Sequence, residues 1–260
     1  MKIAISGKGG VGKSTVAAAI ALTLLRRGER VLALDADPDA NLASALGFTH
    51  AVQQTIVPIS KQLALIEERT GATINEYGRV FKLNPEVSDV AEKFALTVDN
   101  LSLLVLGAVQ NGGGGCACAE STFIRALVTD LVLYQNETLV MDMEAGIEHL
   151  GRATARGVDV LLVVVEPGQR SVDCALTVQR MADEIGLGRL MLVGNKIAGP
   201  ADEAFLREAL PDGQFAAMIP YSDGIRAADR DGVSVLETAN EALLGAVEQI
   251  LQTLGEGANA

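Results

Sequence analysis

The chain has 260 residues, of which 49% are apolar and only 3% aromatic, and its formal net charge is −12. That length suits one sizeable α/β domain, and an apolar set built from Ala, Val, Leu and Ile suits buried parallel strands. The acidic balance argues against non-specific binding to nucleic acid, which needs a basic patch, and against an anionic membrane surface. No apolar run reaches the roughly 18 residues of a membrane span, and no leader precedes the first strand-like run. A cytoplasmic location is expected, where the 3 cysteines stay reduced and form no disulfide framework.

Lys2–Ser6 is a short β-type run, and it enters Gly7-Lys8-Gly9-Gly10-Val11-Gly12-Lys13-Ser14-Thr15. This is Gly-x-x-x-x-Gly-Lys-Ser, a phosphate-binding loop, followed by an Ala-rich helical stretch over Val16–Arg27. Glycines let backbone N–H groups wrap phosphates without Cβ clashes, and the next helix N-terminus adds positive dipole. Residues Gly9 to Thr15 are therefore candidate nucleotide contacts. Lys13 is expected to reach the β- and γ-phosphates, and the Ser14 hydroxyl to ligate Mg²⁺.

Val31–Leu34 reads as the second strand, running into Asp35-Ala36-Asp37-Pro38-Asp39. Three close carboxylates stay ionised together only beside a cation or helix N-termini, although Asp-Pro-Asp is also turn chemistry. Asn41 is a candidate phosphate or nucleotide contact. Residues 50–100 are less regular, with a helix expected over Ser60–Thr70, and Leu101–Leu106 is a strand.

Asn111–Gly115 forms a glycine loop expected to hold Cys116 and Cys118, with a helix over Ser121–Tyr134. Two thiols two residues apart can chelate a soft ion, but a closed site wants four ligands. A two-fold dimer would supply four thiolates, which suit Zn²⁺, Ni²⁺ or Cu⁺. Cys174 reads as a helix-core residue.

Thr138–Met141 is a strand ending at Asp142, whose carboxylate is expected to hold Mg²⁺ through water. Glu144-Ala145-Gly146 follows as a candidate γ-phosphate switch. Strands over Asp159–Val165, Leu190–Val193 and Phe215–Ile219 alternate with a helix over Ser171–Ile185, and a closing helix covers Glu241–Leu254 before a frayed tail. The strand–helix alternation predicts one domain with a mostly parallel sheet covered by helices on both faces. Ligands of such sheets sit at strand carboxyl ends. Asn195-Lys196 and Pro220-Tyr221 occupy two such ends and are candidate base contacts, with a helix cap as the lesser alternative for Asn195.

Lys8, a second lysine inside the phosphate loop, resembles the deviant Walker A branch of P-loop ATPases. That branch includes septum-positioning and partition ATPases, the nitrogenase iron protein, the arsenite-pump ATPase and metallocentre-maturation ATPases. The resemblance implies that Lys8 crosses a dimer interface to the partner's nucleotide, like an arginine finger supplied in trans. It also implies that Asp37 orients or deprotonates the attacking water. The Asn-Lys and Pro-Tyr positions fit adenine, and no Asn-Lys-x-Asp is present, so ATP is preferred to GTP. The phosphate loop, Asp-Ala-Asp-Pro-Asp-Ala-Asn-Leu, Cys-x-Cys and Asp-Met-Glu-Ala-Gly-Ile-Glu-His together are similar to CooC-type nickel-insertion ATPases. This narrower resemblance implies a homodimer that drives nickel into carbon monoxide dehydrogenase or the related acetyl-CoA synthase. His149 in the switch segment reads as a helix-surface residue. Two other readings stay open: a positioning or partition ATPase, and an ATP-driven iron–sulfur electron donor.

Overall fold

The computed structural model describes residues 1–72, 81–108, 118–147, 150, 152–237 and 241–256. Its strands are β1 (Lys2–Ser6), β2 (Val31–Ala36), β3 (Leu96–Val98), β4 (Leu101–Val105), β5 (Thr138–Met143), β6 (Val160–Val165), β7 (Leu190–Ile197) and β8 (Phe215–Pro220). They form one sheet in the order β3-β4-β2-β5-β1-β6-β7-β8, parallel at every junction except β3–β4. The α-helices are α1 (Lys13–Arg26), α2 (Leu42–Ala45), α3 (His50–Gln53), α4 (Leu63–Thr70), α5 (Val90–Phe94) and α6 (Cys118–Tyr134). They continue as α7 (Arg152–Ala155), α8 (Gln169–Ile185), α9 (Pro200–Ala209), α10 (Asp223–Asp231) and α11 (Glu241–Glu256).

Strand periodicity divides the core in two. Ile3 and Ile5 of β1 face one apolar cluster, while Ala4 between them faces the other. Val160, Leu162 and Val164 of β6 share the first cluster, and Leu161, Val163 and Val165 the second. Helices α1 and α11 cover the first face, and α6 and α8 the second. Both faces are dry, which is why these strands read as continuous apolar runs. The buried Ala17, Ala18, Ala19 and Ala21 let α1 pack closely on the sheet beside α11, which covers β8.

The expected strands appear, and several boundaries differ. Helix α1 starts at Lys13, three residues before Val16, because the phosphate loop leads directly into its first turn. A 3₁₀ turn at Ile59–Lys61 and α4 replace the helix expected over Ser60–Thr70. Helix α6 starts at Cys118 rather than Ser121, with Ala119 buried and the acidic Glu120 in its dipole-favoured first turn. Strand β3 was hidden in the irregular region. It pairs with β4 across a two-residue turn, Asp99-Asn100, in which Asp99 has φ 53°. Cys174 is partly buried against the second cluster. No helix among the described residues is long and apolar enough to cross a membrane.

At the end of the sheet opposite the phosphate loop, Lys2 Nζ donates to the carbonyls of Leu131, Gln135 and Glu137 at the end of α6 and just beyond it. Burial lowers the Lys2 pKa, against the raising pull of Asp159 and Glu137.

Phe123 of α6 is fully buried in the second cluster. Phe123→Ala should cost about 3–5 kcal/mol of stability in urea unfolding. The same truncation at Phe205, which is 36% exposed, should cost clearly less. Equal losses would contradict the layer assignment.

Candidate functional site

The phosphate loop joins β1 to α1 at the carboxyl end of the sheet. Two of its glycines are dictated by geometry. Gly7 has φ +146°, and a Cβ there would sit 2.4 Å from the Val164 carbonyl oxygen on β6. Gly12 has φ +97°, and its Cβ would meet the Asn195 amide nitrogen at 2.5 Å. A side chain at position 7 would push the loop off the β6 backbone, and one at position 12 would strain the left-handed backbone and displace the Asn195 amide.

Strand order then decides what surrounds the loop. Strand β1 lies between β5 and β6, with β2 beyond β5 and β7 beyond β6. Each of these strands ends in a polar side chain beside the loop. On the β2 side, Lys13 Nζ is 3.4 Å from Asp37 Oδ2, and Lys13 is buried. Asp37 Oδ1 accepts from the Asp39 N–H at 3.0 Å. Asp35 belongs to β2 itself rather than to the turn after it. Its carboxylate accepts from the N–H groups of Leu42, at 3.0 Å, and Asp37, at 3.3 Å, and so shapes the turn. Asn41 donates to the Asp39 carbonyl.

Asp142 is the second-last residue of β5 and is fully buried; neither carboxylate oxygen has a partner in good hydrogen-bond geometry, although the Ser14 hydroxyl is close enough to favour the charged form. Burial pushes its carboxyl up to about 7, with the Ser14 hydroxyl and Lys13 pulling it down and Asp35 and Asp37 adding to the rise. Burial likewise pushes Asp35 up to about 6, against the two backbone N–H bonds that favour its charged form. A buried carboxylate with only a serine hydroxyl to favour its charge is a costly arrangement unless a cation completes it. The residues present therefore fit a hydrated Mg²⁺. The candidate switch segment begins directly after β5. The Ser6 hydroxyl donates into it, lying 2.9 Å from the Gly146 carbonyl oxygen and 3.1 Å from that of Glu144.

On the other side of the loop, Asn195 and Lys196 lie inside β7 rather than after it, at a register irregularity between Gly194 and Ile197. Lys196 adopts φ 59°, a left-handed conformation uncommon for a long side chain, and this turns its ammonium back toward the loop. Its Nζ donates to the Gly10 carbonyl at 2.6 Å and to Glu166 at 2.9 Å. Asn195 donates to the Val11 carbonyl at 2.7 Å, so an adenine edge would compete with this bond. Lys8 Nζ is 3.7 Å from the same Glu166.

A cleft of about 670 Å³ opens here, lined by Gly9, Gly10, Gly12 to Thr15, Asp37, Asp39, Asn41, Asn195, Lys196, Pro220 and Tyr221. It thus gathers most of the candidate nucleotide residues. Val11 is buried beneath the loop. Sequence reasoning missed Ser222, Ile225 and Arg226, which also line the cleft from α10 and the residue before it. It also missed Ser6 and Glu166. Both stand at the carboxyl end of β1 or just beyond that of β6, so the strand-end rule could have found them.

Cys118 is exposed as the first residue of α6. Cys116, Asn111–Gly115 and His149 lie outside the described residues. Among the described residues no three His, Cys, Asp or Glu side chains gather to hold a metal ion.

The model of the CobQ/CobB/MinD/ParA nucleotide binding domain matches residues 2–235. The carbon monoxide dehydrogenase accessory protein CooC of Rhodospirillum rubrum is 42% identical over 234 residues, covering 90% of this chain and 89% of that protein. An uncharacterized ATP-binding protein of Methanocaldococcus jannaschii is 39% identical over 228 residues, 86% of this chain and 87% of that protein. The septum site-determining protein MinD with Mg-ADP from Pyrococcus horikoshii shares the fold at TM-score 0.68 and 21% identity, over 97% of this chain and 96% of that one.

The raised carboxyls fix a pH dependence. Both hold protons more tightly in the folded chain than in the unfolded one. The nucleotide-free chain therefore loses their contribution as pH rises from about 4 through about 7. Asp142→Asn removes the larger part. In urea unfolding, its stability advantage over the parent should be small near pH 4 and reach on the order of 2–4 kcal/mol near pH 8. An advantage that shrinks with rising pH would contradict an unpartnered carboxylate.

Proposed function

We propose a function for a chain that belongs to the CobQ/CobB/MinD/ParA nucleotide-binding family: it is a Mg²⁺-dependent ATPase that acts as a homodimer and delivers nickel to carbon monoxide dehydrogenase or the related acetyl-CoA synthase. The observation that carries the ATPase half is the grouping of the buried Lys13 and Asp142 with the half-buried Ser14 at the mouth of the phosphate loop. Extensive identity to a carbon monoxide dehydrogenase accessory protein supports the nickel half.

Backbone N–H groups of Gly9 to Thr15 would hold the phosphates, with Lys13 on the β/γ charge. Ser14 and Asp142 would hold Mg²⁺, which would neutralise charge on the phosphates. Asp37 pairs with Lys13 in the single chain. Arriving phosphate would take over Lys13 and leave Asp37 to orient the attacking water and accept its proton. Water attacks the γ-phosphorus, and the bond to the β–γ bridging oxygen breaks. Lys8 would act on the nucleotide of the other subunit. Asn195, Lys196, Pro220 and Tyr221 border the cleft where the adenine end would lie.

Nickel is the cargo. Each chain would offer the thiolates of Cys116 and Cys118, and two chains complete a four-thiolate site for Ni²⁺ or Zn²⁺. The exposure of Cys118 at the start of α6 supports a displayed rather than a packed thiol. The positioning-ATPase alternative wants a membrane-seeking C-terminal helix. Helix α11 instead buries Leu243, Val247, Ile250, Leu251 and Leu254 in the first core cluster. Iron analysis and visible absorption of anaerobically purified protein separate nickel delivery from an iron–sulfur electron donor.

Lys13→Ala should abolish ATP hydrolysis. Lys8→Ala should bind ATP but lose turnover and nucleotide-dependent dimerisation, as followed by phosphate release and sedimentation. Normal turnover in the Lys8 variant would remove its role in trans. Asp37→Asn should bind Mg-ATP yet accumulate as an unreacted dimer.

Metal analysis should give about one Zn²⁺ or Ni²⁺ per dimer. The Cys116→Ser/Cys118→Ser variant should keep the fold and ATP binding, lose the ion and fail to activate a nickel-deficient client. Unchanged stoichiometry after exhaustive buffer exchange would refute the thiolate site.

A further inference from the structure

The two lysines of the phosphate loop are each held by a carboxylate, on opposite sides of β1. Lys13 meets Asp37, which follows β2, and Lys8 meets Glu166, which follows β6. The first pair borders the nucleotide cleft. Lys8 is absent from the cleft lining, although Gly9 and Gly10 beside it are present. Glu166 is itself fixed. Its other carboxylate oxygen takes Lys196 Nζ at 2.9 Å, and Lys196 is tied to the Gly10 carbonyl at 2.6 Å through a backbone held at φ 59°. The carboxylate facing Lys8 is thus part of a braced three-residue cluster rather than a loose surface group.

We propose that Glu166 is a positioning residue for Lys8. In the single chain it parks the lysine beside its own loop, and Lys8 must leave Glu166 before it can engage the nucleotide of a second copy. This rests on the reading of Lys8 as a residue acting in trans. The carboxylate occupies Lys8 as an internal stand-in for the phosphate, so formation of the ATP-bound dimer exchanges one anion for another. Lys8 and Glu166 have side chains 36% and 27% exposed, so the hold is weak. An exposed pair of this kind changes an equilibrium by about 1.5- to 5-fold. A two-fold dimer releases two such lysines, so the effect is squared, to about 2- to 25-fold. Lys8 is thereby restrained without being locked.

The test uses the full chain and Glu166→Gln, which keeps the shape and removes the charge. Sedimentation with a non-hydrolysable ATP analogue and Mg²⁺ should show the dimer dissociation constant falling by about 2- to 25-fold. Parking is read separately on the nucleotide-free chain, below the concentration at which it dimerises. There an amine-acylating reagent with mass-spectrometric readout should label Lys8 faster in Glu166→Gln than in the parent, with labelling of Lys93, which pairs with Asp89 at 2.6 Å, unchanged as control. Unchanged Lys8 labelling overturns the proposal. So does faster labelling with an unchanged or weaker dimer. In that second case Lys8→Ala distinguishes the causes. If Lys8→Ala dimerises like the parent, the role of Lys8 in trans has failed. If Lys8→Ala cannot dimerise, that role stands and only the restraint by Glu166 is wrong.

Discussion

An anion site has to hold its cations when no anion is present. Every other feature of this cleft follows from how that is done. Lys13 is buried, and an unpaired ammonium there would be costly, so Asp37 sits 3.4 Å from it. Lys196 lies where the left-handed turn in β7 aims it at the loop, and Glu166 with the Gly10 carbonyl takes its protons. The loop glycines then have only to keep side chains away from Val164 and Asn195. Asp142 is different, a fully buried carboxyl with no cation against it, and its raised pKa records the imbalance. Both lysines that face the loop, Lys13 and Lys196, are thus paired internally, while the buried Asp142 carboxyl is not.

The parallel sheet makes this possible. Because β1 is flanked by β5 and β6, and those by β2 and β7, a single loop is surrounded by strand ends carrying Asp37, Asp142, Glu166 and Asn195. The rigidity comes from the two dry core layers that hold the strands in register. Asn195 and Lys196 add a direct tie from β7 to the loop backbone, so the loop is fixed from beyond its own strand and helix.

Much of this could be read from the residues. Apolar runs ending in Asp or Asn marked β2, β5 and β7, because buried parallel strands need uninterrupted Val, Leu and Ile and place their ligands at the carboxyl ends. The phosphate loop declared itself through Gly-Lys-Ser after a strand. What stayed hidden was pairing between distant segments. Nothing local to Glu166 says that it faces Lys8 and Lys196, and nothing local to Asn195 says that its amide meets Val11. The short β3 was masked because three residues and a two-residue turn carry too little periodicity to register. The start of α6 was placed late because a glycine run hides where helical geometry begins, and three residues matter when one of them is Cys118.

The grip of Lys2 on the end of α6 has a mechanical consequence. The ammonium collects carbonyls from Leu131 to Glu137, so it pins the C-terminal end of the helix to the strand that carries the phosphate loop. At the opposite end stands Cys118. A straight helix of 17 residues is about 25 Å long at ~1.5 Å per residue. Phe123 and Ile124, within two turns of that cysteine, are buried in the second core cluster, so the helix is held along its length and not only at the pinned end. Helix α6 is thus a rigid spacer that fixes how far Cys118 stands from the end tied to β1.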